Sequence, residues 1–126
     1  MADRDKPLVF IIDDSLICLE LVAEALEEAG YAVESSSSSL GANRKIAELR
    51  PDVVVLDIGM PALDGATLVQ IIQRNTVHSC PVLLHTDRDL AELRAAIESS
   101  GADGGAIKSS DSFELIREIV RVLPLA

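Results

Sequence analysis

Aromatic side chains are nearly missing from this chain: two Phe, one Tyr and no Trp, 2% of 126 residues that are 48% hydrophobic. A core must therefore be built from Val, Ile, Leu and Ala. Cysteine is equally scarce. Cys18 and Cys80 are too few for a disulfide framework, and Cys18, set in an apolar helical pattern, reads as a buried free thiol. No apolar run comes near the roughly 20 residues of a membrane span. The start of the chain, with Leu8–Ile12 as its first apolar run, has no stretch long enough for a secretory signal, so a cytoplasmic protein without a membrane partner is expected. Basic residues are few and scattered, 11 against 21 acidic ones, for a net charge of -10. With no basic stripe to neutralise phosphates, nucleic acid is excluded as a partner. One domain over residues 1–126, its core spanning about 7–123, accounts for the length; there is no linker or repeat.

The stretch Val53-Val54-Val55-Leu56-Asp57 organises the rest. Four apolar residues, three of them β-branched, suit a strand buried on both faces of a parallel sheet. Gly59 and Pro61 then turn the chain away. Asp57 thus stands at the C-terminal end of a strand, where open α/β sheets hold their ligands. Leu8–Ile12 is a second such run and ends in Asp13-Asp14. Tyr31–Glu34 reads as a short strand, Ser35–Ser39 as a serine loop that is a connector before it is a phosphorylation site, Pro81–Leu84 as a fourth strand leading to His85 and Thr86, and Gly104–Ile107 as a weak fifth ending at Lys108.

Helical patterns fill the gaps. Residues 15–29 carry a polar stripe of Glu20, Glu24, Glu27 and Glu28, with Gly30 as the stop. A second helix, about 40–49, turns Ala42, Ile46 and Leu49 to one face and ends at Pro51. A third, from Gly65 to about Asn75, carries Leu68, Ile71 and Ile72. A fourth carries Leu90, Leu93 and Ile97 and stops at Gly101. The last has Phe113, Ile116, Val120 and Leu123 at helical spacing behind an Asp111/Glu114 capping box. Strands joined by helical crossovers run parallel, with helices on both faces. The expected fold is a single doubly wound α/β domain.

Asp13, Asp14, Asp57, Thr86 and Lys108 all fall at C-terminal strand ends, on one edge. If strands one and three are neighbours, three carboxylates share a pocket, unstable unless a proton or cation intervenes. A hard divalent ion is the natural remedy, and Mg²⁺ is commonly held by carboxylates, water and phosphate oxygens. Lys108 and Thr86 add a positive charge and a hydroxyl, a set that suits a phosphoryl group. Read singly, Asp13 or Asp14 is a turn or cap residue, Thr86 a helix cap and Lys108 a solvated lysine. Their convergence is what favours chemistry.

The set Asp13-Asp14, Asp57 with Met60-Pro61 and Asp64-Gly65, Pro81–Thr86, and Gly101–Lys108 resembles the receiver domain of bacterial two-component response regulators, from about Pro7 to Leu123. The resemblance implies a flavodoxin-like (βα)5 fold with strand order 2-1-3-4-5. It implies that Asp57 takes a phosphoryl group from a sensor histidine kinase, a phosphotransfer protein or a small acyl phosphate. Asp14, Asp57 and the carbonyl of Gly59 would hold Mg²⁺ directly, and Asp13 through a water. Thr86 would bond the phosphoryl oxygen and Lys108 would pair with its charge. Such a protein is a self-phosphorylating and self-dephosphorylating switch, not a turnover enzyme, with a downstream protein target and a monomeric or weakly dimeric state. It is either stand-alone or a piece of a larger regulator.

Three positions depart from that family's pattern. Gly105 stands where an aromatic usually moves inward with the Thr, so signalling is expected to run through the loop after Thr86 and the helix near Leu90. Ser109 replaces the proline after the lysine; a cis Lys108–Ser109 bond is expected so that Lys108 reaches the pocket, although a non-proline cis bond costs about 3 kcal/mol. Asp87 replaces a small residue and is expected to cap the next helix. His85 is expected to be a satisfied or half-buried histidine, and His78, Cys80 and His85 match no familiar zinc spacing. The competing reading is a degenerate receiver that binds a protein without phosphorylation. A Mg²⁺-dependent phosphatase is disfavoured because Gly59 occupies the place of a general acid.

Overall fold

All five expected strands form, and the three that are buried along their whole length lie inside the sheet. The computed structural model describes residues 6–59, 65–75 and 78–125. In chain order the elements are β1 (Leu8–Ile12), α1 (Leu16–Ala29), β2 (Ala32–Ser36), α2 (Ala42–Leu49), β3 (Val53–Asp57), α3 (Gly65–Gln73), β4 (Val82–Thr86), α4 (Leu90–Ser100), β5 (Gly104–Ile107) and α5 (Phe113–Val122). The sheet is parallel throughout, in the order β2-β1-β3-β4-β5. This is the doubly wound, flavodoxin-like arrangement expected. The runs β1, β3 and β4 are buried along their whole length, as strands covered on both faces must be. β2 lies at an edge, which lets it end in Ser35 and Ser36; the expected serine loop is therefore shorter, beginning after a buried Ser36 whose hydroxyl donates to Ser38 O at 2.7 Å.

Side chains alternate across the sheet, dividing the core in two. Val9, Ile11, Val53, Val55 and Leu83 pack under α1 and α5, while Phe10, Ile12, Val54, Leu56 and Leu84 pack under α2, α3 and α4. The helices confirm their positions but not every face. In α5 the core side is Leu115 and Ile119, and the expected stripe members Phe113 and Val120 are exposed at 58% and 44%. Two apolar series share this helix at three- and four-residue spacing, and periodicity alone does not say which meets the sheet. In α3, likewise, Val69 is buried and Ile71 is not. Gly30 and Gly101 end α1 and α4 in the left-handed region, as expected of C-terminal stops.

Two caps differ from expectation. Asp89, not Asp87, caps α4, accepting from Glu92 N at 2.8 Å; it stands three residues before that amide, the reach of an N-cap side chain, whereas Asp87 lies exposed in the preceding turn. At α5 the N-cap is Ser112, in the left-handed region at φ 57°, and the capping box does not form because Asp111 turns back to accept from Phe113 N at 3.0 Å. The single tyrosine, Tyr31, is fully buried and donates its hydroxyl to Leu123 O at 3.0 Å, fastening the end of α5.

Candidate functional site

β1 and β3 are neighbours with Ile12 opposite Leu56, so Asp13 and Asp57 leave the same sheet edge side by side. β4 and β5 flank them, with Asp57 opposite His85 and Thr86 opposite Ile107. Asp13, Asp14 and Asp57 bring one carboxylate oxygen each to within 4.8 Å of one another. Asp13 and Asp57 are buried and Asp14 is open to solvent.

The two buried carboxylates are held alike. Asp13 Oδ1 accepts from Ser15 N at 2.9 Å, and Asp57 Oδ1 accepts from Gly59 N at 2.9 Å. The second oxygen of each faces one ammonium: Lys108 Nζ lies 3.0 Å from Asp13 Oδ2 and 3.5 Å from Asp57 Oδ2. Backbone amides therefore fix the orientation and leave the outer oxygens for charge.

Burial acts first on all three groups, but its outcome differs. Burial pushes the Asp57 carboxyl above its ordinary range, and the neighbouring Asp13 charge adds to it, against the Gly59 amide and Lys108. For Asp13, burial is outweighed by the Cys18 thiol, the Ser15 amide and Lys108, which hold its carboxyl low. Lys108 resists burial because both carboxylates favour its charged form, and its pKa is raised. At 4.8 Å, two carboxylates repel by about 3 kcal/mol at an effective dielectric of about 20. Three carboxylates against one ammonium leave two negative charges.

Oxygen donors only, a deficit of two positive charges and an open side at Asp14 fit Mg²⁺, which keeps several waters. Asp13 Oδ2 is buried with no directed hydrogen bond, only the Lys108 ion pair, so it retains capacity for a cation or its water.

Thr86 is buried at the end of β4, and its Oγ1 accepts from Arg88 N at 3.0 Å, leaving its own proton to donate. Asp13, Asp14, Asp57 and Lys108 are thus brought together, and Thr86 stands on the adjoining strand. Gly59 contributes its N–H to Asp57. Met60, Pro61 and Asp64 lie outside the described residues.

The Lys108–Ser109 bond is trans, against expectation. Serine offers an ordinary secondary amide with its strong trans preference, and Lys108 reaches both carboxylates without the other isomer. At Gly105 the reason for glycine is steric: an added Cβ would lie 2.7 Å from Leu84 O and 2.9 Å from Leu93 Cδ1.

Two neighbours of the site are not legible in the sequence. The Cys18 thiol lies within 4.8 Å of an Asp13 carboxylate oxygen, and burial beside that carboxylate pushes its pKa to about 12. Against the expectation of a satisfied or half-buried histidine, His85 is fully buried with both ring nitrogens unpartnered; burial depresses its pKa to about 4. Among the described residues, no three-ligand group contains His78 or Cys80.

The sequence matches the model of the family described as response regulator receiver domain over residues 9–120. It is 32% identical to the transcriptional regulatory protein PrrA of Mycobacterium leprae over 94% of this chain and 50% of that protein. It is also 32% identical to the DNA-binding dual master transcriptional regulator RpaA of Synechocystis, over 93% and 49%. The chain therefore spans about half the length of the curated relatives it matches. Among solved structures, chemotaxis protein CheY4 of Vibrio cholerae superposes with a TM-score of 0.82 at 28% identity, covering 94% of this chain and 99% of that one. Response regulator TrrA of Thermotoga maritima, in complex with Mg²⁺ and BeF, gives 0.79 at 25% identity over 93% and 99%.

Proposed function

The chain belongs to the response regulator receiver domain family, and from that premise we propose that it is a phosphoryl-accepting switch whose nucleophile is Asp57. The donor is the phosphohistidine of a sensor histidine kinase or phosphotransfer protein, or a small acyl phosphate. Asp57 Oδ2 attacks phosphorus; the new P–O bond forms as the P–N bond breaks, and the imidazole leaves with that electron pair. The Gly59 amide holds Oδ1 so that Oδ2 is the oxygen presented. Lys108, shared between Asp13 and Asp57 before transfer, follows the charge onto the phosphoryl oxygens. Thr86 donates its free proton to one of them. Asp13, Asp14, Asp57 and the Gly59 carbonyl would hold Mg²⁺, which when bound supplies charge neutralisation around the phosphoryl group.

The single observation that carries this reading is the outer oxygens of Asp13 and Asp57 converging on one lysine beside a third carboxylate. The Mg²⁺ and BeF complex of TrrA supports the same chemistry by likeness. The protein is cytoplasmic, returns to its resting form by water attack on the acyl phosphate, and is not a turnover enzyme. Its output is a changed affinity for a protein target. Incubation with acetyl phosphate and Mg²⁺ is expected to add one phosphoryl group by intact mass, and Asp57→Asn to abolish it.

A second reading rests on Gly105. No aromatic can be housed there without displacing Leu84 O, so the chain would bind its target whether phosphorylated or not. An unlabelled native chain, or label surviving Asp57→Asn, would select this reading.

A further inference from the structure

Phosphoryl acceptance leaves one buried polar side chain without employment. His85 is 2% exposed, and neither Nδ1 nor Nε2 has a hydrogen-bond partner. Buried polar groups are ordinarily paired. By strand alternation it points, like Leu83 two residues earlier, toward the α1 side of the sheet, where Asp13 lies two residues beyond Ile11. The first turn of α1 carries Cys18 to the same place. A carboxylate oxygen of Asp13, Cys18 Sγ and a ring nitrogen of His85 all lie within 4.8 Å of one another.

We propose that Asp13, Cys18 and His85 form a binding site for one borderline-soft divalent cation of the zinc class, set against the α1 side of the acidic mouth. Thiolate, imidazole and carboxylate are the ligand types of zinc, and three of them leave the fourth tetrahedral position to water. Metal–ligand bonds of about 2.0 to 2.3 Å ask the donors to draw in by about an ångström. The Cys18 proton passes to solvent as the sulfur bonds the cation, with no change of oxidation state.

An entry path is present. A cavity of about 310 Å³, lined by Cys18, His85, Lys108, Ser109 and Ser112 among others, opens at two of the three donors. The cation must displace the Cys18 proton, so its binding strengthens as the pH rises. Mg²⁺ does not compete for sulfur and nitrogen. Asp13 nevertheless belongs to both donor groups, so occupancy of this site takes a carboxylate from the set around Asp57 and sets a dication beside Lys108.

The test is a Co²⁺ titration of the full chain in excess Mg²⁺. One equivalent is expected to bind with a thiolate-to-cobalt charge-transfer band and tetrahedral visible bands, both displaced by Zn²⁺. Cys18→Ser should abolish the charge-transfer band. His85→Leu, and His85→Gln as a polar variant should the first not fold, should weaken binding by more than about tenfold. Cys80→Ser should change neither. No charge-transfer band in the native chain, a band surviving Cys18→Ser, or unaltered affinity in the His85 variants would overturn the site. The titration reads metal binding alone, so its failure and a failure of Asp57 labelling are told apart.

Discussion

The mouth between β1 and β3 and the outer corner of β4, β5 and α4 are built on opposite principles. At the mouth the carboxylates are aimed: two backbone amides fix two of them, and one lysine answers both. At the corner side chains have been removed. Gly105 lies against Leu84 O, Leu93 and Ile97, and Gly104 against Glu118 and Arg121; a cavity of about 330 Å³ opens among Leu90, Leu93, Gly105, Ile107 and Arg117. The difference teaches that the charged mouth and the pared-down corner draw on separate residues, and that one can be kept while the other is rebuilt.

Removing the lysine breaks the mouth most severely. Lys108→Met leaves Asp13 and Asp57 facing each other uncompensated, and a loss of about 3 kcal/mol is expected in urea melts without Mg²⁺, since Lys108 is mostly shielded from solvent. Added Mg²⁺ should restore much of it, and a melt unchanged by the substitution would mean that the ion pairs contribute nothing.

Acid comes next. His85 stays neutral in the folded chain down to about pH 4, whereas an unfolded imidazole protonates near 6.5. Across that window the unfolded chain binds more protons, so stability is full above about pH 6.5 and falls as the pH drops toward 4, by about 2 to 3 kcal/mol. His85→Leu should flatten that part of the pH–stability curve; an equally steep curve would assign acid sensitivity elsewhere.

At the corner, Gly105→Ala is expected to cost about 2 kcal/mol, because the obstructing atom is a backbone carbonyl that cannot rotate away. A neutral result would show that β5 shifts freely.

The raised Asp57 carboxyl has the opposite sign from a stabilising one. The folded chain holds that proton more tightly than the unfolded chain does, so stability falls as pH rises through this range. Asp57→Asn should accordingly raise the metal-free midpoint at neutral pH, and by less in acid. The smallest effect is the most direct comparison of the two regions. Phosphorylation should shift the amide resonances of residues 86–97 while leaving those of β5 nearly still, and the reverse pattern would return the signal to β5.

Most of this architecture was open to a reader of residues alone. Apolar runs ending in acid announce the buried strands that carry Asp13 and Asp57, and helical crossovers between parallel strands put Thr86 and Lys108 on the same edge. Which face α5 buries was not readable, because Phe113–Ile116–Val120 and Leu115–Ile119 satisfy the same spacing, and only the sheet beneath chooses. Asp111 misled for a related reason: an acid near a helix start bonds whichever amide the loop brings to it. The meeting of Cys18 with His85 is invisible at the level of spacing. It requires sheet alternation and the seating of α1 together, two facts of tertiary structure.

Tyr31 carries a practical consequence. It is the chain's one tyrosine, there is no tryptophan, and its hydroxyl is tied to Leu123 O. Near-ultraviolet absorption and emission therefore arise almost wholly from a ring bolted to the far end of the last helix. Detachment of that helix can be followed optically in the native molecule, with no label introduced.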